Sequence, residues 1–281
     1  MVDMGFNDKL LKAAQDNNSW LCIGLDPDVE KLPGNVPKNI SGIFSFLKSI
    51  IDATIDIVCA YKPNSAFYEA LGIPGIELLK NVIDYIPEKV PVILDAKRGD
   101  IGNTSRMYAR FAFDYLGADA TTVNPYMGYD CLKPFLDYST KGVFILCLTS
   151  NPSSSDFQKQ VIASGDWAGI NIYELVARKA VLWNHNGNVG LVIGATSPGE
   201  LGSIRKIIGE DMLILIPGIG AQGGDLENSL KQGANSKGKW GIINVSRSVI
   251  YASVNDNFAE RARDSALELV DRMRRVMKER F

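Results

Sequence analysis

Val90-Pro91-Val92-Ile93-Leu94-Asp95-Ala96-Lys97-Arg98-Gly99-Asp100-Ile101-Gly102-Asn103-Thr104 carries one complete structural unit of the chain. Val90 to Leu94 is uncharged and rich in β-branched residues, and it ends abruptly in Asp95, Lys97 and Asp100. Met107, Tyr108, Phe111 and Tyr115 then recur near helical spacing. A run that is apolar at every position, not at alternate ones, suits a strand buried on both faces of a parallel sheet. Seven further runs read as strands, most of them continuously apolar in the same way: Trp20–Leu25, Ile57–Tyr61, Ala120–Val123, Val143–Leu148, Val189–Ile193, Met212–Ile216 and Ile242–Val245. Helical patterns lie between them, as in Ile43, Leu47, Ile50, Ile51 and Ile55, and in Ile76, Leu79, Val82, Ile83 and Ile86. Ser197-Pro198-Gly199-Glu200 predicts a helix start, with Ser as N-cap, Pro at the first helical position and Glu at the capping-box position. The chain closes with an amphipathic pattern from near Phe258 to Met277, apolar at Ala262, Ala266, Leu269, Val270, Met273 and Val276.

Eight strands alternating with helices over 281 residues predict an α/β chain folded as a single (β/α)8 TIM barrel, one domain spanning 1–281. A short N-terminal helix precedes the first strand in this reading. The Ser-, Asp- and Gly-rich stretch from Asn151 to Gly169 predicts an elaborated loop after strand 5, at about 150–170. An open doubly wound sheet is the alternative. It is weakened because no GxGxxG follows the first strand and no compositional break marks a second domain.

Composition narrows the partners. Hydrophobic residues make up 46% and charged residues 22%, a globular balance that excludes disordered, collagenous and coiled-coil chains. Thirty Lys and Arg face 32 Asp and Glu, so no basic excess points to nucleic acid or an anionic membrane. Met1 to Asn18 lacks the apolar core of a signal peptide, and no apolar run reaches membrane length. A cytoplasmic protein acting on a small molecule is expected. Cys22, Cys59 and Cys147 lie in apolar runs, Cys131 lies in Tyr129-Asp130-Cys131-Leu132, and none forms a CxxC pair. All four read as reduced packing residues. The single histidine, His185, stands in the polar turn Trp183-Asn184-His185-Asn186-Gly187 and reads as solvated. Acid–base chemistry then falls to Asp, Glu, Lys or a hydroxyl.

In such a barrel the active site lies at the C-terminal ends of the strands. The polar residues there are Asp26, Lys62, Asp95 with Lys97, Asn124, Thr149 with Ser150, Thr196, Gln222, and Ser246 with Arg247. Asp95 and Lys97 are two apart, which on an extended chain puts them on one side, and Asp100 follows just past Gly99. A lysine between carboxylates keeps its proton, so its pKa is expected to rise. That disfavours a Schiff-base role and favours delivery of a proton or stabilisation of negative charge. On spacing alone, an ion-pair network tying strand to helix explains the same residues equally well.

Pro217-Gly218-Ile219-Gly220-Ala221-Gln222-Gly223-Gly224-Asp225 follows the seventh strand, and Asn244-Val245-Ser246-Arg247-Ser248 closes the eighth. Glycines admit an anion close to backbone N–H groups, and Arg247 adds a fixed charge. Either stretch alone reads as well as turn chemistry. Both together, after strands 7 and 8, point to a phosphate monoester as the ligand handle. No His, Cys or carboxylate cluster has metal-ligand spacing.

Asp95-Ala96-Lys97-Arg98-Gly99-Asp100-Ile101, with Asp26 after the first strand and Lys62 after the second, resembles the orotidine 5′-phosphate decarboxylase family. The likeness runs from Cys22-Ile23-Gly24-Leu25-Asp26 to Ser246-Arg247-Ser248-Val249-Ile250-Tyr251. Tyr61-Lys62-Pro63-Asn64 and the chain length look like the longer bacterial and archaeal branch. The resemblance implies decarboxylation of orotidine 5′-phosphate to uridine 5′-phosphate, the final step of UMP synthesis, without metal or cofactor. It implies that Lys97 protonates C6 as carbon dioxide leaves, that Asp95 faces the substrate carboxylate, and that Lys62, Asp95, Lys97 and Asp100 form one charged network. Asp26 and Thr104 would hold ribose hydroxyls, Ser150 the pyrimidine amide edge, and Gln222 with Arg247 the phosphate. Ser246, also among the implied substrate-binding residues, stands where relatives commonly have Gly, which fits a backbone role and leaves the role of its side chain open. Asp100 and Thr104 would reach into a neighbouring subunit's site, which implies a homodimer with shared sites.

The charge logic agrees with this. Loss of carbon dioxide leaves a carbanion with no adjacent carbonyl, and a fixed ammonium in a closed site can stabilise it. Phosphate binding can supply remote energy for loop closure. The nearest rival is a metal-dependent sugar-phosphate decarboxylase or synthase of the same superfamily. Those relatives place an acid at the end of the second strand, where this chain has Lys62. A non-catalytic phosphate-binding barrel would be expected to lack one of Asp95, Lys97 or Asp100, and all are present.

Overall fold

A computed structural model describes residues 4–220 and 223–280. The strands are β1 (Leu21–Gly24), β2 (Ala60–Lys62), β3 (Ile93–Arg98), β4 (Ala120–Val123), β5 (Gly142–Leu148), β6 (Val189–Ile193), β7 (Leu213–Pro217) and β8 (Gly241–Val245). They form one parallel sheet in the order β2-β1-β8-β7-β6-β5-β4-β3. The remaining seam, between β2 and β3, is closed by bridges from Tyr61 to Val92 and from Asn64 to Asp95. Tyr61 N–H donates to Pro91 O at 3.1 Å and Asp95 N–H to Pro63 O at 2.9 Å. The expected (β/α)8 barrel is thus present. Strands β1, β4, β6 and β8 are buried at every position, which explains why none carries a charged residue; their polar members are Thr121, Thr122 and Asn244.

Two strands start three residues later than their apolar runs predict. Ile57 and Val58 precede β2 because the Asn17 amide takes the carbonyls of Ile55 and Val58, at 3.0 and 2.7 Å. Pro91, which has no N–H to give, delays the β3 ladder to Ile93. Helix α1 (Phe6–Asp16) plugs the N-terminal mouth of the barrel. Its Leu10 and Ala14 join the inner cluster of Cys22, Ala60, Ile93 and Ala120, and Phe6 packs edge-on to Phe144 at 5.8 Å.

The outer helices are α2 (Ile40–Thr54), α3 (Ser65–Glu69), α4 (Ile73–Tyr85), α5 (Gly102–Arg110), α6 (Tyr129–Leu136), α7 (Ile172–Trp183), α8 (Pro198–Ile208), α9 (Leu226–Gly233), α10 (Arg247–Ile250) and α11 (Phe258–Arg280). The expected apolar face of α11 is buried throughout. The face expected for α5 is not. Met107 and Tyr115 are exposed, whereas Ser105, Ala109, Ala112 and Phe113 are buried. The helix runs on into a π-turn, Phe111–Tyr115, in which Leu116 N–H reaches back five residues to Phe111 O, so a 3.6-residue period misassigns that face. Helix α8 does begin at Pro198, but Ser197 makes no side-chain cap bond. Glu200, expected in a capping box, instead pairs with Lys159 at 2.8 Å.

The segment after β5 holds a short 3-10 turn, Pro152–Asp156, and an antiparallel bridge from Val161 to Asn171. All four cysteines are buried free thiols, and His185 is exposed. No helix of the described residues is long and apolar enough to cross a membrane.

Candidate active site

A cavity of ≈ 400 Å³ opens at the C-terminal ends of the strands. Asp26, Lys62, Asp95 and Lys97, from β1 to β3, and Ser246 and Arg247, from the end of β8 beside β1, are among its lining residues. The strands supply these positions because the last inward-facing residue of each projects past the apolar barrel interior.

Asp95, the third residue of β3, is clasped between two lysines. Its Oδ2 lies 2.8 Å from Lys62 Nζ and its Oδ1 lies 2.6 Å from Lys97 Nζ. Lys62 is only 4% exposed and Asp95 8%, whereas the Lys97 side chain is 45% exposed at the cavity. Burial would push the Asp95 carboxyl up, but Lys62 and then Lys97 outweigh it and hold the group well below the usual carboxylate range. Burial likewise opposes the Lys62 charge, and the fields of Asp95 and Asp26 outweigh it and raise its pKa above the ordinary lysine value. Asp26, Lys62, Asp95 and Lys97 thus form a row of alternating charges across β1 to β3. Cys22, which feels the same charges, is a neutral packing thiol, pushed up to about 12 mainly by burial.

The pairing of Asp95 with Lys97 does not arise from simple strand alternation. The β3–β4 register is irregular between Leu94 and Arg98, and Lys97 has φ +50°, in the left-handed region. A side-chain-bearing residue there carries backbone strain of about 1 kcal/mol or more. Thr122 of β4 holds it in place: its Oγ1 accepts from Lys97 N–H at 2.9 Å and donates to Asp95 Oδ1 at 2.9 Å. Sequence reasoning missed Thr122. The available signal was a pair of hydroxyl residues, Thr121 and Thr122, inside a fully buried strand.

Asp26 follows β1, where its carboxylate accepts from Asn64 N–H at 3.1 Å. Two tyrosines fix the backbone around it: Tyr68 OH donates to Leu25 O at 2.9 Å and Tyr251 OH to Asp26 O at 3.1 Å. Across the cavity, Gly218 and Gly220 adopt φ +104° and +82°, which only glycine reaches without strain. Gly224 N–H closes the turn onto Gly218 O at 3.0 Å. A Cβ on Gly220 would sit 2.7 Å from Ser248 Oγ, so the β7 and β8 loops lie against each other. Ser246 Oγ turns toward Gly24 O, at 3.4 Å. Arg247 is exposed at the rim and pairs with no carboxylate among the described residues. Gln222 lies outside the described residues.

Ser150 lines the cavity, packed against Gly194, where a Cβ would come within 2.8 Å of it. Gln158 fastens this loop to the end of β5 by bonds to Thr149 N–H and Oγ1, at 2.7 and 2.8 Å. Asp100 and Thr104 stand apart from the cavity. Asp100 does not join the charge row of its own chain: its Oδ1 accepts from Ile101 N–H at 2.7 Å, at the entry to α5. Around them Ile101, Met107, Tyr126 and Met127 are exposed apolar side chains. Among the described residues no three His, Cys, Asp or Glu side chains converge as a metal site requires.

A parallel barrel with a charged row at β1–β3 and a glycine turn with an arginine at β7–β8 places this chain among the (β/α)8 enzymes that work at the C-terminal ends of their strands. The profile of the orotidine 5′-phosphate decarboxylase / HUMPS family matches residues 19–262, and the orotidine 5′-phosphate decarboxylase of Herpetosiphon aurantiacus is 52% identical over 261 residues, 93% of this chain and 95% of that relative. The chain belongs to this family, and it is an enzyme of the decarboxylase kind, a carboxy-lyase. The OMP decarboxylase of Leishmania donovani superposes with a TM-score of 0.85 at 40% identity, covering 98% of this chain and 99% of that one. The UMP synthase of the same organism gives 0.87 at 42% identity, with 98% of this chain spanning 57% of that longer one.

Proposed function

We propose that the chain, working as one catalytic domain in the cytoplasm, converts orotidine 5′-phosphate to uridine 5′-phosphate and carbon dioxide, the closing step of UMP synthesis. The observation that carries this reading is Asp95 held between Lys62 and Lys97 on the wall of the cavity. The bond from C6 to the carboxylate breaks, its electron pair stays on C6, and Lys97 Nζ gives C6 a proton. Lys97 is partly exposed, so solvent can return that proton before the next turnover. Lys62 is buried, and it keeps Asp95 ionised and aimed. Asp95 faces the substrate carboxylate, Asp26 and Thr104 hold ribose hydroxyls, Ser150 takes the pyrimidine amide edge, and Arg247 and Gln222 grip the phosphate against the glycine turn. This sequence of steps uses only the chain's own residues, with the ammonium of Lys97 meeting the developing negative charge.

Two copies complete two sites in this proposal. Ile101, Met107, Tyr126 and Met127 form an apolar exposed surface beside Asp100 and Thr104, and exposed surfaces of this kind are characteristic of interfaces. Burying it against a second copy would bring Asp100 and Thr104 to the partner's cavity. The rival metal-dependent sugar-phosphate chemistry is disfavoured at β2, where the position of its expected acid is held by Lys62, already engaged with Asp95. The deciding experiment follows the ultraviolet change on mixing the protein with orotidine 5′-phosphate, with and without a strong chelator. Fast, chelator-insensitive formation of uridine 5′-phosphate is expected. No conversion by folded protein would overturn the proposal and direct attention to sugar phosphates with added metal.

A further inference from the structure

Asn244 lies in β8 two residues before Ser246, on the same inward face and deeper in the barrel. Leu146 of β5, Val192 of β6 and Leu215 of β7 line the same cavity and are aliphatic. Asn244 breaks that series. It is 7% exposed, and its Oδ1 has no hydrogen-bond partner among the described residues. The other deeply buried polar side chains on this cavity are satisfied, since Lys62 and Asp95 bond each other and Thr122 bonds Asp95. An amide whose carbonyl stays unmatched in a buried site is costly, and an aliphatic side chain like those on the three preceding strands would avoid that cost.

Depth tells which part of a ligand the amide meets. Arg247, the phosphate-binding candidate, is exposed at the rim, whereas Lys62, Asp95 and Asn244 are all buried. A nucleotide anchored by its phosphate at the rim therefore points its base toward the level of Asn244. A carboxamide offers donors and an acceptor without charge, which complements the alternating carbonyl and N–H groups of a pyrimidinedione edge. We propose that Asn244 is a specificity-determining residue that hydrogen-bonds the polar edge of the pyrimidine ring, directly or through one water. This rests on the reading of the cavity as a pyrimidine-nucleotide site.

The test compares the wild-type chain with Asn244→Leu and Asn244→Ala. Calorimetry reads binding of uridine 5′-phosphate and of ribose 5-phosphate, which lacks the base. Turnover of orotidine 5′-phosphate gives KM and kcat, and thermal melts of the ligand-free proteins read stability. The expected result is about tenfold weaker uridine 5′-phosphate binding in both variants. Ribose 5-phosphate binding should stay within about twofold, KM should rise more than kcat falls, and Tm should be unchanged or higher. Equal weakening of both ligands, or undiminished uridine 5′-phosphate binding, would overturn the assignment. Loss in Asn244→Leu with retention in Asn244→Ala would reduce the effect to steric blocking and overturn it too. Failure of both variants to fold would assign Asn244 to the fold instead. If the wild-type chain binds ribose 5-phosphate but neither binds uridine 5′-phosphate nor turns over orotidine 5′-phosphate, it is the functional reading that fails, and this inference with it.

Discussion

Replacing Lys62 by Met removes one of the two cations that hold Asp95, keeps a similar volume, and leaves a buried carboxylate whose only counter-charge is the half-exposed Lys97, beside the Thr122 hydroxyl. Removing one partner of a buried ion pair costs about 3–5 kcal/mol, because the remaining charge stays desolvated. For a chain of this size about 1 kcal/mol shifts Tm by about 2–4 °C, so a drop of about 10 °C is expected at pH 7. The pH dependence follows from the direction of each shift. The Asp95 pKa is depressed, so its contribution is present above the unfolded value of about 3.9 and is lost as pH falls through the folded value. The Lys62 pKa is raised, so its contribution is present below about 10.4 and is lost as pH rises through the folded value. The stability difference between wild type and Lys62→Met should therefore be flat from about pH 5 to pH 9 and shrink in acid, where the variant can protonate Asp95. Urea melts across that range measure it directly, with kcat followed on the same samples. An unchanged Tm at pH 7, or a difference that grows in acid, would refute the view that Lys62 keeps Asp95 ionised.

Lys97→Ala should abolish turnover while uridine 5′-phosphate still binds in calorimetry; near-normal turnover would remove Lys97 from the chemistry. Arg247→Ala should chiefly raise KM, by about 10–100-fold, from loss of charge-assisted phosphate contacts of about 1.5–3 kcal/mol, as read in steady-state kinetics. Mixing inactive Lys97→Ala with inactive Asp100→Ala should restore part of the activity if sites are shared, and no recovery after verified subunit exchange would count against sharing. Arg205, 7% exposed, donates to the carbonyls of Gly209, Met212 and Gly233, and burial pulls its pKa down to about 10. Arg205→Met should strip these acceptors of their donor and lower stability by about 3 kcal/mol or more in denaturant melts, with kcat little changed.

The barrel was legible in the chain because its evidence is local. Val189–Ile193 is apolar at every position since both faces of β6 are covered, and the periodic face of α11 matches its buried stripe residue for residue. The charged ends of β1, β2 and β3 were legible for the same reason: Asp26, Lys62 and Asp95 interrupt apolar runs, and such interruptions can be counted without coordinates. Their pairing could not be counted. Lys62 and Asp95 are 33 residues apart, and their contact exists only because β2 and β3 meet at the seam that closes the barrel. Lys97 reaches Asp95 through a left-handed backbone step braced by Thr122 of the next strand, not through the two-residue repeat of an extended chain. The π-turn at Phe111–Tyr115, the carbonyls taken by Asn17 and the uncapped Ser197 follow the same rule. Each is a choice among locally similar hydrogen-bonding options, and the neighbour that tips the choice comes from packing. Hydrophobic periodicity is therefore written into the chain residue by residue, whereas ion pairing, seam closure and the burial of Asn244 depend on distant segments arriving at one place.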